Sequence, residues 1–253
     1  MRIAIAGGTG VVGGYAADAA EAAGHDVVVL TRHSGVDVAR GEGLSAALEG
    51  VDVVIDTLNL LTLKGSATKE FFVTTSRNLQ DAAARQGVAH LVSLSIVGID
   101  RAPSYPYYQA KLAQEATVTK GKVPVTILRA TQFHEFPVQM MRWLRRGRLA
   151  FVPRLRSQPV AARTVGEHLI RLATERPGGT IELAGPEVHD IADLARRYAA
   201  AHEPQIRVIG LPVPGKYGRQ VRAGALLATD GTTIDGPTFD QWLSSDDAKR
   251  IGR

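Results

Sequence analysis

The chain has 253 residues, 45% of them hydrophobic, enough to bury a sizeable core and to fold at this length as one α/β domain. It contains no cysteine, which excludes disulfides, thiolate metal sites and a cysteine nucleophile, and fits a reducing compartment. The formal charge of +5 raises the question of nucleic acid, yet the arginines crowd between Arg142 and Arg163 without a helix-turn-helix pattern, zinc-finger spacing or basic-aromatic repeat.

That arginine-rich segment reads either as a solvated face or as a site for an anionic ligand or partner. No nucleic-acid partner is expected. The apolar start, Met1 to Ala6, is too short for a signal-peptide core. The longest apolar region, around Val51 to Leu63, is broken by Asp56 and Asn59 and falls short of the roughly 20 residues a spanning helix needs. A soluble, cytoplasmic protein with no membrane partner is the expectation.

In chain order, Arg2 to Ala6 predicts a strand and Val11 to Ala23 a helix closed by Gly24. Val27 to Thr31 predicts a second strand, Leu44 to Leu48 a short helix and Val51 to Thr57 a buried strand. Thr68 to Gln86 predicts a long helix closed by Gly87, and His90 to Ser95 the next strand. Pro106 to Lys120 reads as a helix opened by proline, and Val125 to Ala130 as a strand. Phe136 to Arg146 and Thr164 to Glu175 look helical, Thr180 to Ala184 extended and Asp190 to Ala201 helical. Leu211 to Gly215 reads as a surface loop, and Ser244 to Arg253 is polar enough to fray. Strands alternating with helices imply a Rossmann-type doubly wound parallel sheet. The expected organisation is a single domain: residues 1 to about 150 form a cofactor-binding core and 151 to 253 a small C-terminal substrate lobe, with one or more strands returning to the sheet.

Gly7-Gly8-Thr9-Gly10-Val11-Val12-Gly13 joins the first strand to the first helix. Gly7 permits the sharp turn, Gly10 lets backbone approach a pyrophosphate, and Gly13 lets the helix pack close to the strand. The helix start then offers free N–H groups to phosphates. After the second strand, where an NAD site carries an acid for the ribose 2′-hydroxyl, stand Thr31, Arg32, His33 and Ser34. A guanidinium beside the Ser34 hydroxyl suits the 2′-phosphate of NADP(H). Asp37, the next acid, either caps a turn or contacts adenine.

Ser95 ends its strand on the carboxyl edge, where open α/β sheets bind ligands. Tyr107 and Lys111, four apart, share a helix face. A tyrosine near pKa 10 serves acid-base catalysis at neutral pH when a cation stabilises its phenolate, and Lys111 is placed to do so. Ser95 would then hold a substrate carbonyl while Tyr107 supplies a proton. Tyr105 and Tyr108 are rivals, but neither stands four before a lysine. His134-Glu135 begins a zinc-helix motif whose second histidine is replaced by Val138, so no metal is expected. Neither a Gly-x-Ser-x-Gly elbow nor a P-loop ending is present.

With these motifs the chain resembles the short-chain dehydrogenase/reductase superfamily, and within it the atypical, NmrA-like, NAD(P)H-binding branch. The resemblance covers most of the chain. It is carried by Gly-Gly-Thr-Gly-x-x-Gly, by Tyr107-Tyr108-Gln109-Ala110-Lys111, by Leu128 to Phe133 and by Leu183 to Glu187. It implies that Thr9, Gly10, Val11, Val12 and Arg32 hold the pyrophosphate and 2′-phosphate. Leu58 and Asn59 would lie along the cofactor, Lys111 would reach the nicotinamide ribose, and Thr131, Gln132 and Phe133 would flank the nicotinamide. The branch holds reductases of quinones and related compounds as well as dinucleotide sensors. An NADPH-dependent reductase of a carbonyl, quinone or related conjugated small molecule is therefore expected, as a monomer or homodimer. A non-catalytic NADP(H) sensor, with the arginine-rich stretch as its partner surface, and other dinucleotide chemistry such as epimerisation are the alternatives.

Overall fold

The computed structural model describes residues 1–60 and 65–251. The strands and helices are β1 (Arg2–Ala6), α1 (Val11–Ala22), β2 (Asp26–Leu30), α2 (Leu44–Ala47), β3 (Val53–Asp56), α3 (Gly65–Arg85), β4 (His90–Ile96), α4 (Pro106–Thr119) and β5 (Val125–Ala130). They continue with α5 (Phe136–Trp143), β6 (Arg145–Arg146), β7 (Leu149–Arg154), β8 (Arg156–Ser157), α6 (Ala162–Glu175), β9 (Gly179–Ala184), β10 (His189–Asp190) and α7 (Ile191–His202). The last are β11 (Arg207–Pro212), α8 (Gly215–Arg222), β12 (Thr233–Ile234), α9 (Phe239–Leu243) and α10 (Asp246–Arg250). Seven strands form the central parallel sheet of a Rossmann-type α/β fold, in the order β12-β9-β5-β4-β3-β1-β2. Among the described residues, no helix is long and apolar enough to cross a membrane.

The chain divides into two compact units that alternate along the sequence. One comprises Met1–Ile96, Tyr105–Arg129 and Arg163–Ile181, the other Val97–Ser104, Ala130–Ala162 and Glu182–Arg253. In the first unit the parallel register sets Ala6 beside Leu30 and Asp56, and Asp56 beside Ser93. The carboxyl ends of β2, β1 and β3 therefore finish in one row, with β4 running on beside them to Ile96, at the edge where such sheets bind ligands. The core behind that row gathers Ala4, Val54 and Leu91 from the strands with Leu79, Ala82 and Ala83 of α3. Gly24 and Gly87 close α1 and α3 with φ of 76° and 70°, the left-handed conformation that glycine adopts without a Cβ penalty.

The second unit builds a three-stranded sheet, β11-β7-β6, packed by α5 and α7. His134, Tyr198, Phe239 and Trp242 make its aromatic core.

Three expectations are corrected here. The helix expected from Phe136 to Arg146 ends at Trp143, because Gly147 at φ 60° turns a hairpin that pairs Arg146 with Leu149. In the expected loop Leu211 to Gly215, Leu211 and Pro212 end β11 and Gly215 opens α8. The tail from Ser244 carries α10, anchored by a fully buried Ala248. Residues 61–63 of the long apolar region and the last two residues of the tail lie outside the described residues.

Candidate active site

The glycine turn is shaped by neighbouring backbone. Gly7 has φ 83°, and a Cβ there would sit 2.8 Å from Thr57 Oγ1. A Cβ on Gly13 would fall 2.2 Å from the Gly7 carbonyl oxygen, closer than real Cβ atoms come, so this position admits only glycine while the turn keeps its shape. Thr57 fastens the turn from the other side, donating both its N–H and its hydroxyl to Ala6 O at 2.9 Å. Gly10 caps α1 without a side chain, and no acid stands in the first turn, which leaves the helix N–H groups facing outward for an anion. Val11 is exposed there while Val12 packs inward.

This turn lines a cleft of about 540 Å³ together with Thr31, Arg32, Val36, Asp37, Leu58, Asn59 and Thr75. Arg32 follows β2 after one intervening residue, Thr31. Ser34, expected beside the phosphate, turns its hydroxyl to Thr31 O at 2.9 Å and completes a capping box with Thr31. Asp37 resolves toward a turn cap, since Oδ1 accepts the N–H groups of Ala39 at 2.9 Å and Arg40 at 3.2 Å. Glycines a Cβ would foul, an uncapped helix start and a cation at the end of β2 together fit the diphosphate and adenosine part of a nicotinamide dinucleotide.

Tyr107 reaches this cleft through Asn59, donating its phenol hydrogen to Oδ1 at 2.8 Å. Burial, with Tyr105 adding, pushes that phenol well above its usual range. Tyr108 packs inward on the neighbouring face. Lys111, one turn beyond Tyr107, points into the core and is only 4% exposed. Its Nζ donates to Leu94 O at 2.8 Å and to Gln114 Oε1, and lies 4.7 Å from the centre of the Phe72 ring. Tyr107 packs edge-on against that same ring. Burial lowers the Lys111 pKa to about 8, while Asp56 and Glu115 oppose the fall. Ser95, also buried, donates to Glu115 Oε1 at 2.5 Å, and Arg129 clamps that carboxylate with two bonds of 2.9 and 2.7 Å. The structure thus brings the turn, Arg32, Leu58, Asn59 and Tyr107 together. It gives Lys111 and Ser95 interior partners.

Thr131, Gln132 and Phe133 belong to the other unit. There Thr131 donates to Gln158 O at 2.6 Å, Gln132 accepts from Ser157 at 2.6 Å, and Phe133 bridges to Val160. Motif reading missed Asp56, Gln114, Glu115 and Arg129. The available signals were a carboxylate closing the apolar run Val53-Val54-Ile55, and Gln114 and Glu115 three and four residues after Lys111.

A family model described as NAD(P)H-binding matches residues 7–175, from the glycine turn through α6. The chain belongs to this NAD(P)H-binding family. A curated relative, the photosystem II assembly factor Ycf39 of Synechocystis, is 27% identical over 147 residues. That match covers 53% of this chain and 45% of the relative, so it spans less than half of the assembly factor. Among solved structures, a short-chain dehydrogenase/reductase superfamily protein of Agrobacterium tumefaciens with bound NAD is 20% identical, with a TM-score of 0.70. The likeness covers 100% of this chain and 97% of that one. A dTDP-4-dehydrorhamnose reductase orthologue of Clostridium acetobutylicum is 13% identical with a TM-score of 0.75, over 99% and 100% of the two chains. These structures share the fold of this NAD(P)H-binding family member.

Proposed function

We propose that the protein is an NADPH-dependent reductase of a carbonyl, quinone or related conjugated small molecule. In this reading it is a single NAD(P)-binding domain, with residues 1 to about 150 holding the cofactor and the remainder chiefly shaping the substrate pocket. The observation that carries the reading is the 540 Å³ cleft, where the glycine turn and Arg32 meet Asn59, the residue that holds Tyr107.

Arg32 supports the preference for NADP(H). It stands where an acid would grip an NAD ribose, and Asp37, a carboxylate lining the same cleft, has one oxygen committed to backbone. When bound, the nicotinamide supplies hydride to the substrate. Tyr107, raised in pKa and therefore a neutral phenol at physiological pH, carries a proton to give to the oxygen that develops charge. That polarity favours reduction over oxidation. Lys111 supplies positive charge one helical turn away, and it shares the Phe72 ring with Tyr107.

A second reading, a non-catalytic NADP(H) sensor, is favoured by one observation: Ser95 and Lys111 both turn to interior partners. Calorimetry with NADPH and NADH on the wild type and Arg32→Ala, followed by NADPH oxidation with quinones, aldehydes and ketones, separates the readings. The reductase reading expects tighter NADPH binding, loss of that preference in Arg32→Ala, and turnover that Tyr107→Phe abolishes. Tight NADPH binding with no turnover of any of these compounds supports the sensor. Absence of binding by either nucleotide overturns both.

A further inference from the structure

We propose that Asp56 is the positioning residue for Lys111, acting through Gln114 to fix the ammonium and hold its proton while tying it to the loop that lines the cofactor cleft. The inference rests on the reading of Lys111 as a group that serves cofactor and proton donor.

Asp56 ends β3 and is buried, 1% exposed, where an unpaired carboxylate would be costly. Its two oxygens point to two different parts of the site. Oδ1 accepts the N–H of Leu58 at 3.0 Å and so shapes the segment from Thr57 to Asn59, which lines the cleft and holds the Tyr107 phenol. Oδ2 accepts Gln114 Nε2 at 3.0 Å. An amide has one donating and one accepting end, so a glutamine that gives its N–H to Asp56 must turn its oxygen to Lys111, as it does. Gln114 is 1% exposed and Lys111 4%, which leaves little room for water to substitute for either link.

Among the described residues, two carboxylates face Lys111. Asp56 approaches from β3, and Glu115 from α4 is already clamped by Arg129 of β5. α3 contributes the Phe72 ring and β4 the Leu94 carbonyl, neither of which titrates. Asp56 is therefore the carboxylate that reaches Lys111 through Gln114, and its interaction opposes the fall that burial imposes on the ammonium. Burial pushes Asp56 upward and Lys111 opposes it, just as Asp56 opposes the fall that burial imposes on Lys111.

A purely structural Asp56 would matter for folding but not for the sign of charge beside Lys111, and moving the carboxylate tests that difference. The full chain, labelled with ¹³C at lysine Cε, is titrated by NMR as wild type, Asp56→Asn, Gln114→Glu and the double variant. The wild-type Lys111 midpoint is expected near 8. In Asp56→Asn it falls by about one pH unit, in Gln114→Glu it rises, and the double variant returns toward the wild type. NADPH affinity measured in parallel at pH 8 weakens about fivefold in Asp56→Asn, as the protonated fraction of Lys111 drops. A Lys111 midpoint that stays put in both Asp56→Asn and Gln114→Glu overturns the proposal. Should Asp56→Asn not fold, Gln114→Glu still decides by the direction of its shift. If the midpoints move as stated while no variant binds NADPH, the positioning role stands and the cofactor reading falls.

Discussion

The first unit buries Asp56, Gln114 and Lys111 as a connected chain in which every polar end meets a partner. The second buries His134, Glu135 and Trp242 differently: His134 Nδ1, Glu135 Oε1 and Trp242 Nε1 have no hydrogen-bond partner among the described residues. The electrostatics diverge accordingly. Lys111 keeps a pKa of about 8 because Asp56 and Glu115 oppose its burial. Burial moves Glu135 up to about 7, against its own and the Ala162 backbone N–H, and moves His134 down to about 4. Burial favours the neutral form in both places; hydrogen bonds resist it at Glu135 and His134, and buried groups of opposite sign resist it at Lys111. The pair of opposite sign lies in the unit that carries the glycine-turn cleft.

The largest test breaks the charged pair. Lys111→Met leaves Asp56 buried without its counter-charge and is expected to cost about 3–5 kcal/mol, read as a lower urea midpoint at pH 7. Adding Asp56→Asn to it should recover much of the loss, because the stranded charge is then gone. Equal midpoints for the single and double variants would remove the contrast between the units.

A smaller effect concerns pH in the second unit. Glu135 ordinarily titrates at 4.5 and in the fold near 7, so its contribution to stability is complete below 4.5 and is lost as pH rises through 7. His134 ordinarily titrates at 6.5 and in the fold near 4, so its contribution is present above 6.5 and is lost as pH falls toward 4. Between 4.5 and 6.5 the two slopes oppose each other, and the wild type should be nearly flat. Glu135→Gln should unmask the histidine, losing up to roughly 3 kcal/mol as pH drops from 6.5 to 4. His134→Asn should show the reverse slope, with stability falling from pH 4.5 to 7. Urea unfolding at half-unit pH steps reads both, and parallel profiles for the two variants would contradict the opposed pair.

The smallest effect compares caps. Asp190 accepts Ala192 N–H at 2.9 Å at the start of α7, and Thr31 with Ser34 caps the turn after β2. Asp190→Ala and Ser34→Ala are each expected to cost about 1 kcal/mol by thermal unfolding, and Ser34→Ala should leave NADPH affinity unchanged. A large loss of NADPH binding in Ser34→Ala would return that hydroxyl to the phosphate site.

Sequence made the first unit legible wherever the determinants are local. The turn from Gly7 to Gly13, the caps at Gly24 and Gly87 and the proline start of α4 are readable because neighbours along the chain decide them. The hairpin from Arg145 to Arg154 was not, since Trp143 to Arg146 suits a helix as well and Gly147 alone marks the reversal. β11 contains Gly210 and Pro212, poor strand residues, and forms by pairing with β7 some sixty residues away. Side-chain partners were hidden for the same reason. The strand rhythm shows that Ser95 and Asp56 finish on the carboxyl edge, but not that Glu115 and Gln114 wait there, 20 and 58 residues downstream.

The alternation of the two units along the chain also governs synthesis. The first unit takes its final segment from Arg163 to Ile181, and there Gly166 fits so tightly on α1 that an added Cβ would meet Ala16 N at 2.8 Å. While the ribosome is still translating the stretch before it, α1 has emerged but this covering helix has not. Until that segment is made, the face of α1 that Gly166 covers lacks its partner, the kind of exposed surface by which incomplete chains aggregate.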